Sequence, residues 1–356
     1  VRYVSSLLKE LSHYASNDDW NGRVISTIFF GGGTPSLLSS KSVAAILKTA
    51  REHFTLDAEA EVTLEANPGS VSEKLAVDRL SDFRDAGVNR ISFGVQSFNP
   101  KKLKFLGRLH TAEDTYCAVD NVRRAGITNF NLDLIFGCSG DCSESWLTDV
   151  NSAVELNPSH LSCYSLTIEP GTVFGKLSQQ GNLPTLDDET SSELFTLTDE
   201  TLKRHDYHRY EISNFAKPSY ECRHNINYWL GNDYLGLGAG AHSYCGPNKR
   251  WINLPGPIHY IEAIGKNGDA ATRRETITSE QRGIELLLLS LRTRDGLDLS
   301  GYEEQTGLSF LQNRTQVIHQ LEAERLIQRY SITDRPYLRL TERGFLMADE
   351  ILKMLA

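Results

Sequence analysis

Hydrophobic positions along the first half of the chain follow two alternating rhythms. Val4, Leu7, Leu8 and Leu11 share one helical face. Residues 24–30 then read as a short apolar strand closed by Gly31-Gly32-Gly33-Thr34-Pro35-Ser36, and helical spacing returns through Val43, Ile46 and Leu47. The alternation predicts strands over 61–65, 90–95, 129–136 and 159–166, with helices over 72–86, 112–125 and 143–156 between them. Strand followed by helix, repeated every 30 to 40 residues or so, describes a parallel sheet whose apolar strands are buried on both faces by helices. Polar residues collect where strands end: Thr34, Glu65 with Asn67, Gln96 with Ser97, Asp133, and Tyr164 with Thr167. A barrel gathers its site from many strand ends at once, whereas an open sheet concentrates it at one switch point. The pattern therefore favours a barrel. The chain opens on a helix, so the first strand–helix unit lacks its strand, and a missing native N-terminus is the expected reason.

Beyond Glu169 the rhythm breaks into short elements rich in Gly, Asn, Tyr and His, with a helix expected over 188–204 and a strand over 209–213. The Gly-rich stretch 235–246 is expected to bring backbone close to a ligand or to another strand. A Gly/Pro linker near 254–257 leads to helices over 279–290, near Tyr302 and over 310–329, then a two-stranded wing in 330–340 and a final helix. The expected divisions are a barrel core over 1–170, an extension over 171–275 and a small winged-helix-like C-terminal domain over 276–356.

Charge and composition narrow the function classes. The 356 residues carry 37 basic and 46 acidic side chains, a formal net charge of −9. That balance disfavours non-specific binding to nucleic acid or anionic lipid. In the wing, Arg325, Arg329, Arg335 and Arg339 are offset by Glu322, Glu324, Asp334 and Glu342. No apolar run is long enough to span a membrane, so a soluble, cytoplasmic protein is expected. The cysteines at 117, 138, 142, 163, 222 and 245 read as free thiols of a reducing compartment, with Cys117 and Cys163 as small buried hydrophobes. Only Cys138 and Cys142 are close in sequence, and no further soft ligand follows them at metal-binding spacing.

Several residues stand out as chemistry. Gly31, Gly32 and Gly33 would let main-chain groups approach a polar ligand, although the segment matches neither a P-loop nor a dinucleotide fingerprint. Glu65 could accept from an amine or a ribose hydroxyl. Gln96 and Asp133 interrupt apolar strands, where a polar group needs a partner. Arg108 could meet a carboxylate through two parallel hydrogen bonds. His224-Asn225-Ile226-Asn227-Tyr228-Trp229 concentrates polar and aromatic groups in a region that also holds His208, Tyr210, Cys222, Tyr234, His242 and Tyr244. It reads either as a buried polar network or as a place for a metal or haem.

Taken together, Phe29-Phe-Gly-Gly-Gly-Thr-Pro-Ser36, Leu64-Glu-Ala-Asn-Pro-Gly69, Arg90-Ile-Ser-Phe-Gly-Val-Gln-Ser-Phe98, Leu106-Gly-Arg-Leu-His110, Asn131-Leu-Asp-Leu-Ile-Phe-Gly137 and Tyr164-Ser-Leu-Thr-Ile-Glu-Pro-Gly-Thr172 resemble the radical S-adenosylmethionine family of oxygen-independent coproporphyrinogen III oxidases. The resemblance is closer to its haem-chaperone branch, whose marker His224-Asn225-x-x-Tyr228-Trp229 matches. It implies an α/β fold, a partial (β/α)6 TIM-like barrel missing its first strand plus the small C-terminal domain. It implies S-adenosylmethionine held by Gly31, Gly32, Gly33, Thr34, Glu65, Gln96, Arg108 and Asp133. Haem would associate with His224, Asn225, Tyr228 and Trp229, with His224, His208 or His242 as the iron ligand. The family's C-x3-C-x2-C motif for a [4Fe–4S] cluster is absent from the sequence, so the cluster is expected only in a longer parent and radical catalysis is not expected of the chain as written. The implied role is to carry haem to membrane-associated haem proteins, with transient membrane association and a homodimer as further expectations and no nucleic-acid partner. Coproporphyrinogen oxidation and a cluster-less scaffold are the alternatives.

Overall fold

The computed structural model describes residues 2–73, 76–183 and 186–356. Its largest sheet has seven strands: β1 (Val24–Phe30), β2 (Thr55–Ala66), β3 (Arg90–Gln96), β4 (Phe130–Phe136), β5 (His160–Ser165), β6 (His208–Glu211) and β7 (Asn214–Ala216). Their spatial order is β1-β2-β3-β4-β5-β7-β6, curled into a half-barrel. β2, β3, β4 and β5 pair in parallel, while β7 adds antiparallel to β5 and β6 antiparallel to β7. The expected barrel architecture is therefore present.

Register decides what the sheet presents on each side. Glu65 lies beside Ser92, Ser92 beside Asn131, and Asn131 beside His160. Because side chains alternate along a strand, neighbours in register share a face. One face gathers Thr63, Glu65, Arg90, Ser92, Asn131, Asp133, His160 and Ser162. The other carries Leu64, Ile91, Phe93, Leu132, Leu134 and Leu161, all buried. Phe136 on that second face meets Trp146 of the helix Ser143–Glu155 at 5.3 Å between ring centroids. The expectation of apolar strands buried on both faces holds for burial but is corrected for polarity: one face is apolar and the other polar. Polar side chains are tolerated there because parallel register lets them hydrogen-bond across strands.

Helix starts follow their capping residues. Thr111 and Asp114 form a reciprocal capping box before Ala112–Arg124, Asp187 caps Asp188–Arg204, and Thr278 with Gln281 caps Ser279–Ser290. Each such cap contributes about 1 kcal/mol. The expected helix over 72–86 is described as Pro68–Val71 and Ala76–Ala86; residues 74 and 75 lie outside the described residues. Cys117, expected to be buried, is exposed. The helix Ala112–Arg124 buries Thr115, Ala118, Val119 and Val122, which leaves Cys117 on its outward face. Cys163 is buried as expected.

The chain divides into two compact units, residues 29–40 with 61–222, and residues 1–28 and 41–60 with 223–356. In the second unit Tyr14 stacks on Trp251 at 5.6 Å, within a core that includes Leu11, Trp20 and Phe54. The buried Glu10 carboxylate accepts from Tyr260 Oη at 2.6 Å, Asn253 Nδ2 at 2.6 Å and Gly238 N at 2.9 Å. Burial raises its pKa, and these three donors oppose the rise. The Gly-rich stretch folds back on itself, its first residues lying against β8 (His242–Cys245) within the same stretch. A Cβ at Gly236 would lie 2.0 Å from the His242 carbonyl oxygen. β8 pairs with β9 (Lys249–Asn253), and β9 with β10 (Ala271–Thr276).

At the C-terminal end β11 (Leu297–Asp298), β12 (Ile327–Ile332) and β13 (Arg335–Leu340) form the wing, in the order β11-β13-β12. The expected helix over 310–329 is corrected: the helix is Thr315–Ala323 and residues from Ile327 are strand. Arg325 takes φ +57°, and Leu326 N donates to the Leu321 carbonyl at 2.9 Å, a left-handed stop that ends the helix. The strand expected over 209–213 ends at Glu211, where Ser213 N turns back to donate to Glu211 Oε2 at 3.3 Å.

Glu211 is fully buried and its Oε1 has no hydrogen-bond partner. Burial pushes its carboxyl up to about 7, against donors at Ser213 and Asn214. Folding then disfavours ionisation. Stability is highest below pH 4.5 as far as this group is concerned, falls as pH rises from there to about 7, and is flat above. Glu211→Gln is expected to remove that slope and to stabilise the protein at pH 8 by roughly 1–3 kcal/mol. Urea unfolding at pH 4.5, 6 and 8 checks it; an unchanged slope contradicts it.

Candidate functional site

The polar face of the half-barrel opens into a cavity of ≈ 170 Å³ whose walls include Gly33, Thr34, Glu65, Gln96, Arg108 and Asp133. Most come from a strand or the loop just after it, while Arg108 follows the helix Pro100–Phe105, so the fold brings five separate sequence motifs to one place. Gly31 and Gly32 are not on the cavity wall. Gly32 instead donates its N–H to Glu65 Oε2 at 3.1 Å and holds that carboxylate in position. Gly32 and Gly33 take φ of +79° and +65°, a conformation that glycine adopts without strain. A Cβ on Gly31 would lie 2.7 Å from the Phe29 ring and 3.4 Å from the Glu65 carboxyl carbon.

Gln96 is a non-glycine residue at φ +68°, where the β3–β4 register shifts. Such a backbone costs of order 1 kcal/mol and persists only when the surroundings impose it. The constraint is close by: Ser97 Oγ and Phe98 N both donate to the buried Asp149 carboxylate at 2.7 Å. Gly94 leaves room for the result, since a Cβ there would sit 3.0 Å from Gln96 Nε2.

The cavity's charges are two carboxylates and one guanidinium. Burial raises the pKa of Glu65, and the Asp133 charge adds to the rise. Burial also raises Asp133, opposed by hydrogen bonds from Ser162, Asn131 and Ser92. Arg108 Nε is buried without a hydrogen-bond partner. His110, next in the same loop but one, is fixed by its Nε2 on the Val95 carbonyl at 2.9 Å. A ligand with its own carboxylate, an ammonium and a positive centre would satisfy all three groups at once.

Several contributors were not evident as site residues from sequence. Ser92 and Gly94 also line the cavity, alongside the strand-end residue Asn67. Beneath it, Asn131 Nδ2 donates to Asp133 Oδ1 at 2.8 Å, and Asn131 Oδ1 lies 2.7 Å from His160 Nδ1. His160 Nε2 in turn meets Tyr210 Oη at 2.8 Å. The period-two alternation in Asn131-Leu-Asp133 was the available signal; the partnership with His160, 29 residues on, was not.

The His224 segment lies in the second unit. The short helix Arg223–Trp229 has no buried residue, which departs from a buried polar network. His224 and Tyr228, one turn apart, share a face. The His224 ring sits with Nδ1 2.8 Å from Thr27 Oγ1 and Nε2 3.1 Å from Tyr228 Oη. Tyr228 packs edge-on against Tyr234 at 4.7 Å. Asn225 and Trp229 are half-buried on the adjacent face. His242 is exposed, as is His208, which lies 3.2 Å from Asp206 Oδ1.

A curled parallel half-barrel with a polar cavity at its strand ends and a small wing domain is the architecture of radical S-adenosylmethionine proteins, and the comparisons agree. The Radical SAM superfamily matches residues 4–151, and the HemN C-terminal domain matches residues 277–347. The solved coproporphyrinogen III oxidase HemN of Escherichia coli superposes with a TM-score of 0.80 at 25% identity, covering 99% of this chain and 82% of that one. Heme chaperone HemW of Escherichia coli is 37% identical over 353 residues, covering 99% of this chain and 89% of that protein. Heme chaperone HemW of Bacillus subtilis is 34% identical over 329 residues, covering 92% and 84% respectively. The chain belongs to the HemW family of the radical SAM superfamily.

Membership implies S-adenosylmethionine and a [4Fe–4S] cluster. The cavity fits the first: its glycine-lined wall, orphaned Arg108 Nε and paired carboxylates match a small zwitterion bearing a sulfonium. The cysteines present here do not fit the second. Cys138 is buried with its thiol pushed up to about 11, mainly by burial, whereas Cys142 is exposed at the start of the helix Ser143–Glu155. Among the described residues no three Cys, His, Asp or Glu side chains converge as a metal site. Among those residues, too, no helix is long and apolar enough to cross a membrane.

Proposed function

We propose that this chain binds haem at the segment His224–Trp229, holds S-adenosylmethionine in the half-barrel cavity, and passes haem to membrane-associated haem proteins. The observation that carries the reading is 37% identity, over nearly the whole chain, to a haem chaperone. The segment itself supports it: its helix has no fully buried residue, Tyr228 is exposed, and His224, Asn225 and Trp229 are partly exposed beside it.

In this reading His224 Nδ1–H donates to Thr27 Oγ1, which leaves the Nε2 lone pair for iron once Tyr228 Oη moves aside. Tyr228 and Trp229 offer aromatic surface to the macrocycle. In the cavity Arg108 takes the ligand's carboxylate, while Glu65 and Asp133 take its ammonium and ribose hydroxyls. Gly33 and Thr34 leave main-chain groups open beside them. S-adenosylmethionine supplies a sulfonium, and the two carboxylates against one guanidinium give the cavity a matching net negative charge.

Coproporphyrinogen oxidation is the second reading, favoured by the structural match to HemN. Two assays on the same preparation separate them. Haem titration is expected to give a saturable Soret shift, and anaerobic incubation with coproporphyrinogen III and S-adenosylmethionine to give no decarboxylation. Turnover without a Soret shift reverses the assignment.

A further inference from the structure

We propose that Asn131 and His160 are positioning residues for Asp133, forming with Tyr210 a one-directional hydrogen-bond chain that aims the Asp133 carboxylate into the cavity. The inference rests on the reading of that cavity as the S-adenosylmethionine site and names two residues that touch no ligand.

The direction follows from what each group can donate. An ionised Asp133 only accepts, so Asn131 must turn its amide N–H groups toward it. Nδ2 reaches Asp133 Oδ1 at 2.8 Å and Ser92 Oγ at 2.7 Å, which uses both of its protons. Asn131 Oδ1 therefore faces away and accepts from His160 Nδ1 at 2.7 Å. His160 must then carry its proton on Nδ1, and its Nε2 lone pair accepts from Tyr210 Oη at 2.8 Å. Every donor points toward Asp133. Register makes the chain rigid, because Ser92, Asn131 and His160 are lateral neighbours on β3, β4 and β5.

The surroundings keep His160 neutral. It is fully buried, and burial followed by the Arg90 guanidinium holds its pKa well below the ordinary imidazole range. A neutral imidazole of fixed tautomer is a better orienting group than one that titrates. The charged or titratable groups that bear on Asp133 are Glu65 from β2, Arg90 from β3, Cys163 and Tyr164 from β5, and Arg108, which lines the same cavity. Removing the Asn131 donor leaves Asp133 harder to ionise.

Two measurements on the 356-residue chain test this. In ¹⁵N-labelled wild type, long-range ¹H–¹⁵N correlation is expected to place the His160 proton on Nδ1 throughout pH 6–9. An Nε2–H tautomer or an imidazolium overturns the proposal without any variant. Calorimetric titration with S-adenosylmethionine over the same range is expected to weaken as pH falls. In Asn131→Leu the midpoint of that loss is expected to move up by about one pH unit, with affinity down about tenfold on the acid side of the midpoint and restored on its alkaline side. A merely structural role would lower affinity equally at every pH. If Asn131→Leu binds with wild-type affinity and midpoint, the positioning role falls while the site reading stands. If wild type binds no S-adenosylmethionine, the site reading falls and takes the role with it. Should Asn131→Leu not fold, the wild-type tautomer decides.

Discussion

Asp149→Ala is expected to destabilise the barrel unit by about 3–5 kcal/mol, the largest stability effect anticipated for a single substitution here. Asp149 is 2% exposed and serves three partners. It accepts from Ser97 Oγ and Phe98 N at 2.7 Å each, and it lies 3.5 Å from Lys102 Nζ. Lys102 is itself buried, 2.9 Å from Asp141 Oδ2 and over the Trp146 ring at 5.1 Å. Truncating Asp149 strands a buried hydroxyl and a buried amide, and weakens the compensation of a buried ammonium. Each such orphan costs about 1–3 kcal/mol. The consequence reaches the cavity, because Ser97 and Phe98 hold the strained Gln96. Urea unfolding with an unchanged slope and a midpoint lowered to match checks the prediction. A loss under 1 kcal/mol would mean that Asp141 alone compensates Lys102.

Arg108→Met is expected to act in the opposite sense on stability and binding. Arg108 Nε is buried without a partner, so its loss should leave stability unchanged or slightly raised. Affinity for S-adenosylmethionine should fall about 10- to 150-fold, the worth of a charge-assisted pair at about 1.5–3 kcal/mol. Decarboxylated S-adenosylmethionine supplies the control. If Arg108 takes the carboxylate, the variant and wild type should bind that analogue alike, and the double-mutant cycle should show strong coupling. Equal losses for both ligands would move Arg108 to another part of the ligand.

How far the sequence could be read varied with where each element's cause lies. Val24–Phe30, Asp188–Arg204 and Ser279–Ser290 were readable to the residue because their causes are local, an apolar run in the first and caps at Asp187 and Thr278 in the others. The helix expected over 310–329 failed because its stop is Arg325 in a left-handed conformation, where sequence offers no glycine to mark it. β6 was legible as the strand expected over 209–213, whereas the three-residue β7 exists through pairing with β5 and β6, and nothing local announces it. The site divides the same way. Gly33, Thr34, Glu65, Gln96 and Asp133 were nominated from strand ends, Arg108 as a partner for a carboxylate, and all six converge on one cavity. The residues behind them, His160 above all, become partners only through parallel register across three strands. A buried histidine inside an apolar strand carried no sign of which side chain it would meet.

The central claim is that haem binds at the segment His224–Trp229, and equilibrium haem titration read at the Soret band tests it most directly. Wild type, His224→Ala, His208→Ala and His242→Ala should be compared at one pH. Saturation is expected in wild type, with retention in His208→Ala and His242→Ala, and loss or a spectral change of ligation in His224→Ala alone. An unaltered Soret titration in His224→Ala, or no saturable binding in wild type, would contradict it.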